Sequence, residues 1–273
     1  MSLVVGRRVL AVAADPPEVA PGDPVTLRAL VVDEDGVVDQ PAVRWSLCRA
    51  PRGAAESDSI PDACVDGDVD AIDDQDPADA DALVVVPVSS CALFGPDVAG
   101  GARPPDPDGT GGYFLPVRLD VDGAPLAFGA VRLACRLGDA DVDVARTFGR
   151  RYARNVAPTF AVDVPARVSA GDAIDIAVRW PAASAEDFVV YDRDAQRLVT
   201  TREGIVASFF ATNGVFAVDR RGAEEEGEVQ RVTTTNNGWT APSAAGVVHH
   251  QIVVRDGRGG VAWTAFDVVV AGR

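Results

Sequence analysis

The chain has 273 residues, 47% of them hydrophobic, and a formal net charge of −16. This length fits about two domains of 100–150 residues, and the charge argues against a nucleic-acid partner, because phosphate binding needs a basic surface. No window approaches the roughly 18 consecutive apolar residues of a membrane span, and all 25 basic residues are arginine, which excludes Schiff-base and P-loop lysine chemistry.

Short runs of alternating apolar residues, rich in β-branched types and bounded by turn signals, predict strands in the first half. Trp45 lies within one of them and is expected to anchor the core of a sandwich; an exposed, ligand-binding tryptophan is the alternative. The predicted strands are residues 9–12, 25–32, 42–48, 83–88, 113–121 and 127–137.

From about residue 50 to 112 the pattern stops, which predicts a long insertion in the first domain. Residues 56–81 hold eleven acidic side chains and no basic one. A divalent cation would relieve their repulsion, and calcium is often bound by D-x-D-x-D loops. The alternative is a solvated acidic loop without metal. The candidate calcium ligands are Asp66, Asp68, Asp70, Asp73 and Asp74.

The four cysteines are Cys48, Cys64, Cys91 and Cys135, without the C-x-x-C spacing of zinc or redox motifs. An even count in a turn-rich acidic chain predicts two disulfides and an oxidising compartment, with buried free thiols as the alternative. Three pairings are possible. In one of them Cys48–Cys64 closes a loop of about 15 residues, which stabilises by about 3 kcal/mol, and Cys91 pairs with Cys135.

The remainder predicts one helix at 139–154, a linker at 155–160 and a second sandwich. Residues 16–27 recur at 165–176 with the same Gly-Asp turn, which favours two copies of one sandwich type. The predicted domains are residues 4–154 and 156–273. Further strands are predicted at 174–180, 188–191, 198–201, 205–210, 214–218, 247–255 and 261–271.

Several turn and packing motifs carry a resemblance, namely Trp239-Thr240-Ala241-Pro242, Asp256-Gly257-Arg258-Gly259-Gly260 and Cys91-Ala92-Leu93-Phe94-Gly95-Pro96. The chain resembles tandem bacterial Ig-like, PKD-like and cadherin-like domains of predicted secreted lipoproteins of unknown function. The resemblance implies an all-β fold of two tandem Ig-like sandwiches, export, a lipid anchor on a cysteine outside this sequence, and no activity.

No enzyme motif such as G-x-S-x-G or H-E-x-x-H occurs in the chain. His249 and His250 are adjacent on a predicted strand, so they face opposite sides and cannot form one metal site. We therefore expect a non-enzymatic exported protein for envelope scaffolding, adhesion or binding of a protein or glycan at the cell surface. Two alternatives stay open: a calcium-dependent binding module, and a hydrolase with a carboxylate site.

Residues 1–5 lack the long apolar core of a signal peptide. The expectation is a start that replaces a removed export signal, with the mature protein periplasmic or on the outer surface as a lipoprotein. A native cytosolic start is the alternative, against which the cysteine pattern weighs.

Overall fold

The computed structural model describes residues 2–51, 60–72, 80–96, 112–138, 140–223 and 232–272. Within these ranges strands dominate and helices are short. The predicted fold class, two tandem Ig-like sandwiches with one short helix before the connection between them, is confirmed. No helix in these ranges is long and apolar enough to cross a bilayer.

The first sandwich has two facing layers around one hydrophobic core. In one layer β3 pairs with β1 and, on its other side, with β4 and β7; the other layer has the order β2-β9-β8-β5-β6. Trp45 is buried in this core and donates its indole N–H to the carbonyl oxygen of Ala80 at 3.1 Å, as expected of a core anchor. The strands are β1 (Arg8–Asp15), β2 (Glu18–Val19), β3 (Pro24–Asp33), β4 (Gly36–Val37), β5 (Val43–Cys48), β6 (Val69–Ala71), β7 (Ala82–Val85), β8 (Gly112–Val121) and β9 (Ala127–Ala134).

The insertion contributes to both layers of the first sandwich. Its strand β6 pairs with β5, and its strand β7 pairs with β3. Two one-turn helices, α1 (Asp62–Val65) and α2 (Ser90–Leu93), carry one cysteine each. Disulfides join Cys48 to Cys64 and Cys91 to Cys135, so α1 is tied to the end of β5 and α2 to the chain just after β9.

The predicted helix is α3 (Val142–Arg151). Its buried Phe148 packs with Leu137 of the first sandwich and with Val189 and Tyr191 of a hairpin in the second. The helix therefore lies between the two sandwiches and contacts both.

The second sandwich also encloses a core of its own. One layer has the order β10-β12-β18-β16 and the other β11-β20-β19-β15-β17, with β13-β14 as a separate hairpin. The strands are β10 (Ala161–Asp163), β11 (Arg167–Ser169), β12 (Ala173–Arg179), β13 (Asp187–Asp192), β14 (Arg197–Arg202), β15 (Ile205–Ala211), β16 (Val215–Phe216), β17 (Arg220–Ala223), β18 (Thr234–Thr240), β19 (Gly246–Asp256) and β20 (Val261–Ala271).

The recurring Gly-Asp segment forms the same structural unit in both sandwiches. Gly22 and Gly171 have φ of 90° and 78°, a conformation that favours glycine. Asp23 and Asp172 each accept a hydrogen bond from the amide three residues earlier, at 3.1 and 2.9 Å. The short strand before each turn is parallel to its neighbour, β2 to β9 and β11 to β20. The predicted repeat is therefore confirmed at the level of structure.

The first residues of the chain extend a sheet of the second sandwich. The amide of Val4 donates to the carbonyl oxygen of Ala211 at 2.9 Å, and the amide of Ala211 donates to the carbonyl oxygen of Ser2 at 2.9 Å. Leu3 thereby forms a parallel bridge with the end of β15.

Candidate functional site

The described candidate calcium ligands lie at the start of the insertion, beside an arginine. Asp66 follows α1, and Asp68 and Asp70 lie in and next to β6. Arg49 donates to Asp70 at 2.6 Å and lies 3.9 Å from Asp68, so a guanidinium already neutralises this part of the cluster. The other two candidate ligands lie outside the described residues: Asp73 and Asp74.

Within the described ranges, no group of three or more His, Cys, Asp or Glu side chains is placed to hold a metal ion. Calcium binding by the insertion stays a prediction. A melting temperature unmoved by millimolar calcium or by chelator would exclude it, since a ligand of the native state must stabilise that state.

The two sandwiches meet through an apolar surface, here called the interface cluster. It is formed by the outward side of β1 and β3 and the outward side of β15, β19 and β20, and the side chain of Val253 at its centre is 0% exposed. The cluster consists of Val4, Leu10, Ala11, Leu30, Val32, Phe210, Val253, Val261 and Trp263. Strand β19 is consequently covered on both faces, and its residues from His250 to Val254 are all buried.

Beside the interface cluster lies a set of buried and partly buried polar side chains, here called the junction network. Its members are Glu18, Arg132, Tyr152, Asn155, Glu186, Glu203, Asp256 and Arg258. They come from both sandwiches and from the chain that connects them.

Arg258, in the turn between β19 and β20, is the central cation of the junction network. Its side chain is 1% exposed and pairs with Glu203, whose side chain is 0% exposed. It also pairs with Glu186 at 2.6 Å and donates to the carbonyl oxygen of Ala153 at 2.8 Å. The ring of Phe188 lies 4.7 Å from its guanidinium carbon. Arg258 thus joins the second sandwich to the connecting chain.

A second ion pair holds the first sandwich to the same connecting chain. Arg132 and Glu18 are both buried and lie 3.5 Å apart. The amide of Asn155 donates to Glu18 at 2.9 Å, and the hydroxyl of Tyr152 donates to the same carboxylate at 2.9 Å. The Tyr152 oxygen also accepts from Arg258 at 3.3 Å. The two ion pairs are therefore joined through Tyr152.

Asp256 organises the turn that presents Arg258. Its carboxylate accepts from the amides of Arg258 and Gly260 at 2.9 and 2.8 Å and from the Asn155 side chain at 3.2 Å. A Cβ on Gly260 would overlap the Asp256 carboxylate and lie 3.2 Å from the backbone of Ala157. The Asp-Gly-Arg-Gly-Gly turn therefore fits closely against the connecting chain.

The junction network carries an excess of carboxylates, because Glu186, Glu203 and Asp256 surround the single guanidinium of Arg258. Burial and the nearby Asp256 raise the pKa of Glu203 to about 7 despite the pairing with Arg258. Burial likewise raises the pKa of Asp256. Such a network can hold two bodies in register and can take up a proton near neutral pH.

The two histidines of β19 lie on opposite faces, as predicted. His249 points outward and lies 2.8 Å from Asp267. His250 is buried, stacked on Phe266 and edge-on to Trp239. Burial lowers the pKa of His250 to about 4, which keeps the ring neutral.

Sequence reasoning missed the junction network because its residues are far apart along the chain. The only local signal was the Asp256–Gly260 motif, which resembled the closing turn of Ig-like modules. The contacts of this turn with the connecting chain involve Tyr152 and Asn155, and no rule of sequence spacing predicts that these residues lie beside it.

No family model matches the chain, and no curated protein matches it. Among solved structures, the fibronectin(III)-like modules of Clostridium thermocellum CbhA are similar at 12% identity and a TM-score of 0.25, over 96% of this chain and 95% of theirs. The D00-D0 domain of intimin is similar at 9% identity and a TM-score of 0.26, over 96% of this chain and 100% of that one. The Yersinia pseudotuberculosis adhesin InvE is similar at 13% identity and a TM-score of 0.23, over 95% of this chain and 58% of InvE. Likenesses at these values carry no argument about family or function.

Proposed function

We propose that this protein is a non-enzymatic, exported module of the cell surface that holds two Ig-like sandwiches in one fixed orientation, for adhesion or scaffolding. The observation that carries the proposal is the closed contact between the sandwiches. The partner we propose is a protein or glycan bound by loops displayed on this rigid frame.

Neighbouring domains in one chain are expected to move relative to each other unless their interface is large and hydrophobic. Here the interface cluster supplies the apolar area. The junction network adds hydrogen bonds from the connecting chain to both sandwiches, because Tyr152 and Asn155 donate to Glu18 of the first and Asn155 also donates to Asp256 of the second. An opening that breaks these bonds leaves buried polar groups unpaired, at a cost of about 1–3 kcal/mol each.

The two disulfides support export, because such bonds persist in oxidising compartments. We propose a periplasmic or outer-surface location, with a lipid anchor in the full-length form. Antibody labelling of intact and permeabilised cells tests this location. Labelling only after cell lysis, together with four titratable thiols in the native protein, would contradict it.

Rigidity is tested by small-angle X-ray scattering of the whole chain and of Val253→Asp. The variant places an unpaired charge in the interface cluster, so we expect the sandwiches to separate and the radius of gyration to increase. The matched control is Val247→Asp on the same strand, where the residue is 53% exposed; its scattering should equal that of the wild type. Equal scattering of a folded Val253→Asp would overturn the proposal.

A further inference from the structure

A cavity of about 440 Å³ opens on the outward face of the second sandwich, beside the part of that face that the first sandwich covers. This volume lies within the range of about 300–1,000 Å³ typical of small-molecule sites. It is lined by Gly204, Val206, Ser208, Arg220, Arg255, Asp256 and Gly257.

The strand register explains why two arginines line one cavity. On β15, Ala207 points into the core, so its neighbours Val206 and Ser208 point outward. Arg220 of β17 lies opposite Ser208, and Arg255 of β19 lies opposite Val206. The two arginines therefore flank β15 from either side, with their Cα atoms roughly 12 Å apart at about 4.8 Å per strand and about 3.3 Å per residue along it.

Arg255 lacks the neutralisation that other buried arginines receive. It is half-buried and donates Nη2–H to the carbonyl oxygen of Leu10 at 2.9 Å. Among the described residues, neither Arg255 nor Arg220 pairs with a carboxylate, whereas Arg258, in the adjoining turn, has two. The carboxylate of Asp256 is turned to its own loop and to Asn155. Burial lowers the pKa of the Arg255 guanidinium, since no acid compensates for its lost hydration.

Arg255 is a cation partly withdrawn from water without a counter-charge, which is unfavourable, and an anion bound between it and the exposed Arg220 would relieve that cost. We propose that this cavity binds a small ligand through an oxyanion group, a carboxylate or a phosphate, held by Arg220, Arg255 and the hydroxyl of Ser208. The planar guanidinium matches both groups with paired hydrogen bonds. The inference does not depend on the proposed surface function, although a surface module could use such a site.

The test is isothermal titration calorimetry of the whole chain at constant ionic strength, with inorganic phosphate, galacturonate and neutral galactose as probes. We expect binding of phosphate, of galacturonate or of both, and none of galactose. Phosphate alone would assign a phosphate-bearing ligand, and galacturonate alone a carboxylate. Absence of binding by both anions, or equal binding of galactose, would overturn the proposal.

Variants place the binding in this cavity. Arg220→Gln and Arg255→Gln should each weaken the anion Kd at least tenfold, and Ser208→Ala by a smaller factor. Arg220→Gln leaves the hydrogen bond from Arg255 to Leu10 intact, so its effect is separate from any loss of folding. The matched control is Arg167→Gln, on β11 at the opposite edge of the same sheet. An unchanged Kd in Arg220→Gln and Arg255→Gln, or an equal loss in Arg167→Gln, would refute the assignment. The scattering experiment tests only the fixed orientation of the sandwiches, and the calorimetry tests only the oxyanion site. Either proposal can therefore be refuted without the other.

Discussion

Arg132 shows how far alternation predicts the surroundings of a single residue. Its neighbours Val131 and Leu133 point into the core, as their pattern predicts, and Arg132 points to the other face. That face should be solvated, yet Arg132 is 2% exposed because the connecting chain lies across it. Alternation specifies which face a side chain takes, but not what later covers that face.

Glu203 should make stability depend on pH. Between its ordinary pKa of 4.5 and its folded value of about 7, the native protein holds a proton that the unfolded chain has released. Its contribution is complete below the ordinary pKa and is lost as pH rises through 7. Glu203→Gln removes this titration, so its unfolding free energy relative to that of the wild type should increase from pH 5 to about pH 7 and level off above it. Urea denaturation of both proteins at a series of fixed pH values measures this difference in unfolding free energy.

His250 should make stability depend on pH in the opposite direction to Glu203. Its pKa falls from 6.5 to about 4 on folding, so its contribution is present above pH 6.5 and is lost as pH falls toward 4. The unfolding free energy of His250→Phe, relative to that of the wild type, should therefore increase as pH decreases from 7 to 5. Differences from the wild type that do not vary with pH in both variants would contradict these assignments.

At the scale of elements, most of the longer strands could be predicted from sequence to within about three residues, since several alternating positions define a face. The exception is β18, whose Asn236-Asn237-Gly238 segment has the composition of a turn. The two-residue strands β2 and β4 have too few positions to show a period on their own, and β16 is shorter than the strand predicted at 214–218. The pairing of β7 with β3 could not be predicted either, because 83–88 is a short apolar island whose partner is set by the fold around it. The same limit hid the cavity beside β15, because its lining depends on the register of three strands.

Strand β19 carries a polar side chain, Gln251, in a buried environment that does not satisfy its hydrogen bonds. Gln251 is 0% exposed, and both polar atoms of its side-chain amide lack a hydrogen-bond partner within the described structure. Replacing it with methionine, similar in shape, removes that penalty, so Gln251→Met should raise the unfolding free energy by about 1 kcal/mol. Urea denaturation measures the change. The exposed Gln40→Met is the control and should be neutral, and a destabilised Gln251→Met would count against this account.

The two disulfides should differ in their effect on stability. Cys48 and Cys64 are 16 residues apart, and Cys91 and Cys135 are 44 apart. A longer closed loop loses more entropy in the unfolded chain, so removal should cost about 3 kcal/mol for the first pair and about 4 kcal/mol for the second. Denaturation of the Cys→Ser double variants measures both losses. The reverse order would contradict the loop-entropy explanation.

At the scale of the whole molecule, the interface cluster and the junction network should couple the sandwiches in unfolding. We expect one calorimetric transition for the wild type, with the calorimetric and van't Hoff enthalpies equal. Val253→Asp should split it into two transitions, while Val247→Asp should not. Two independent transitions in the wild type would show that the contact contributes little. The domain limits 4–154 and 156–273 stay a prediction, which limited proteolysis of Val253→Asp can address.

The bridge between Leu3 and Ala211 has a consequence for synthesis on the ribosome. The opening residues leave the exit tunnel long before their strand partner has been translated, so this contact cannot form until about 200 further residues have been added. Until then a sheet edge near the amino end stays available to other molecules, and a chaperone that shields strand edges would be of most use in that interval.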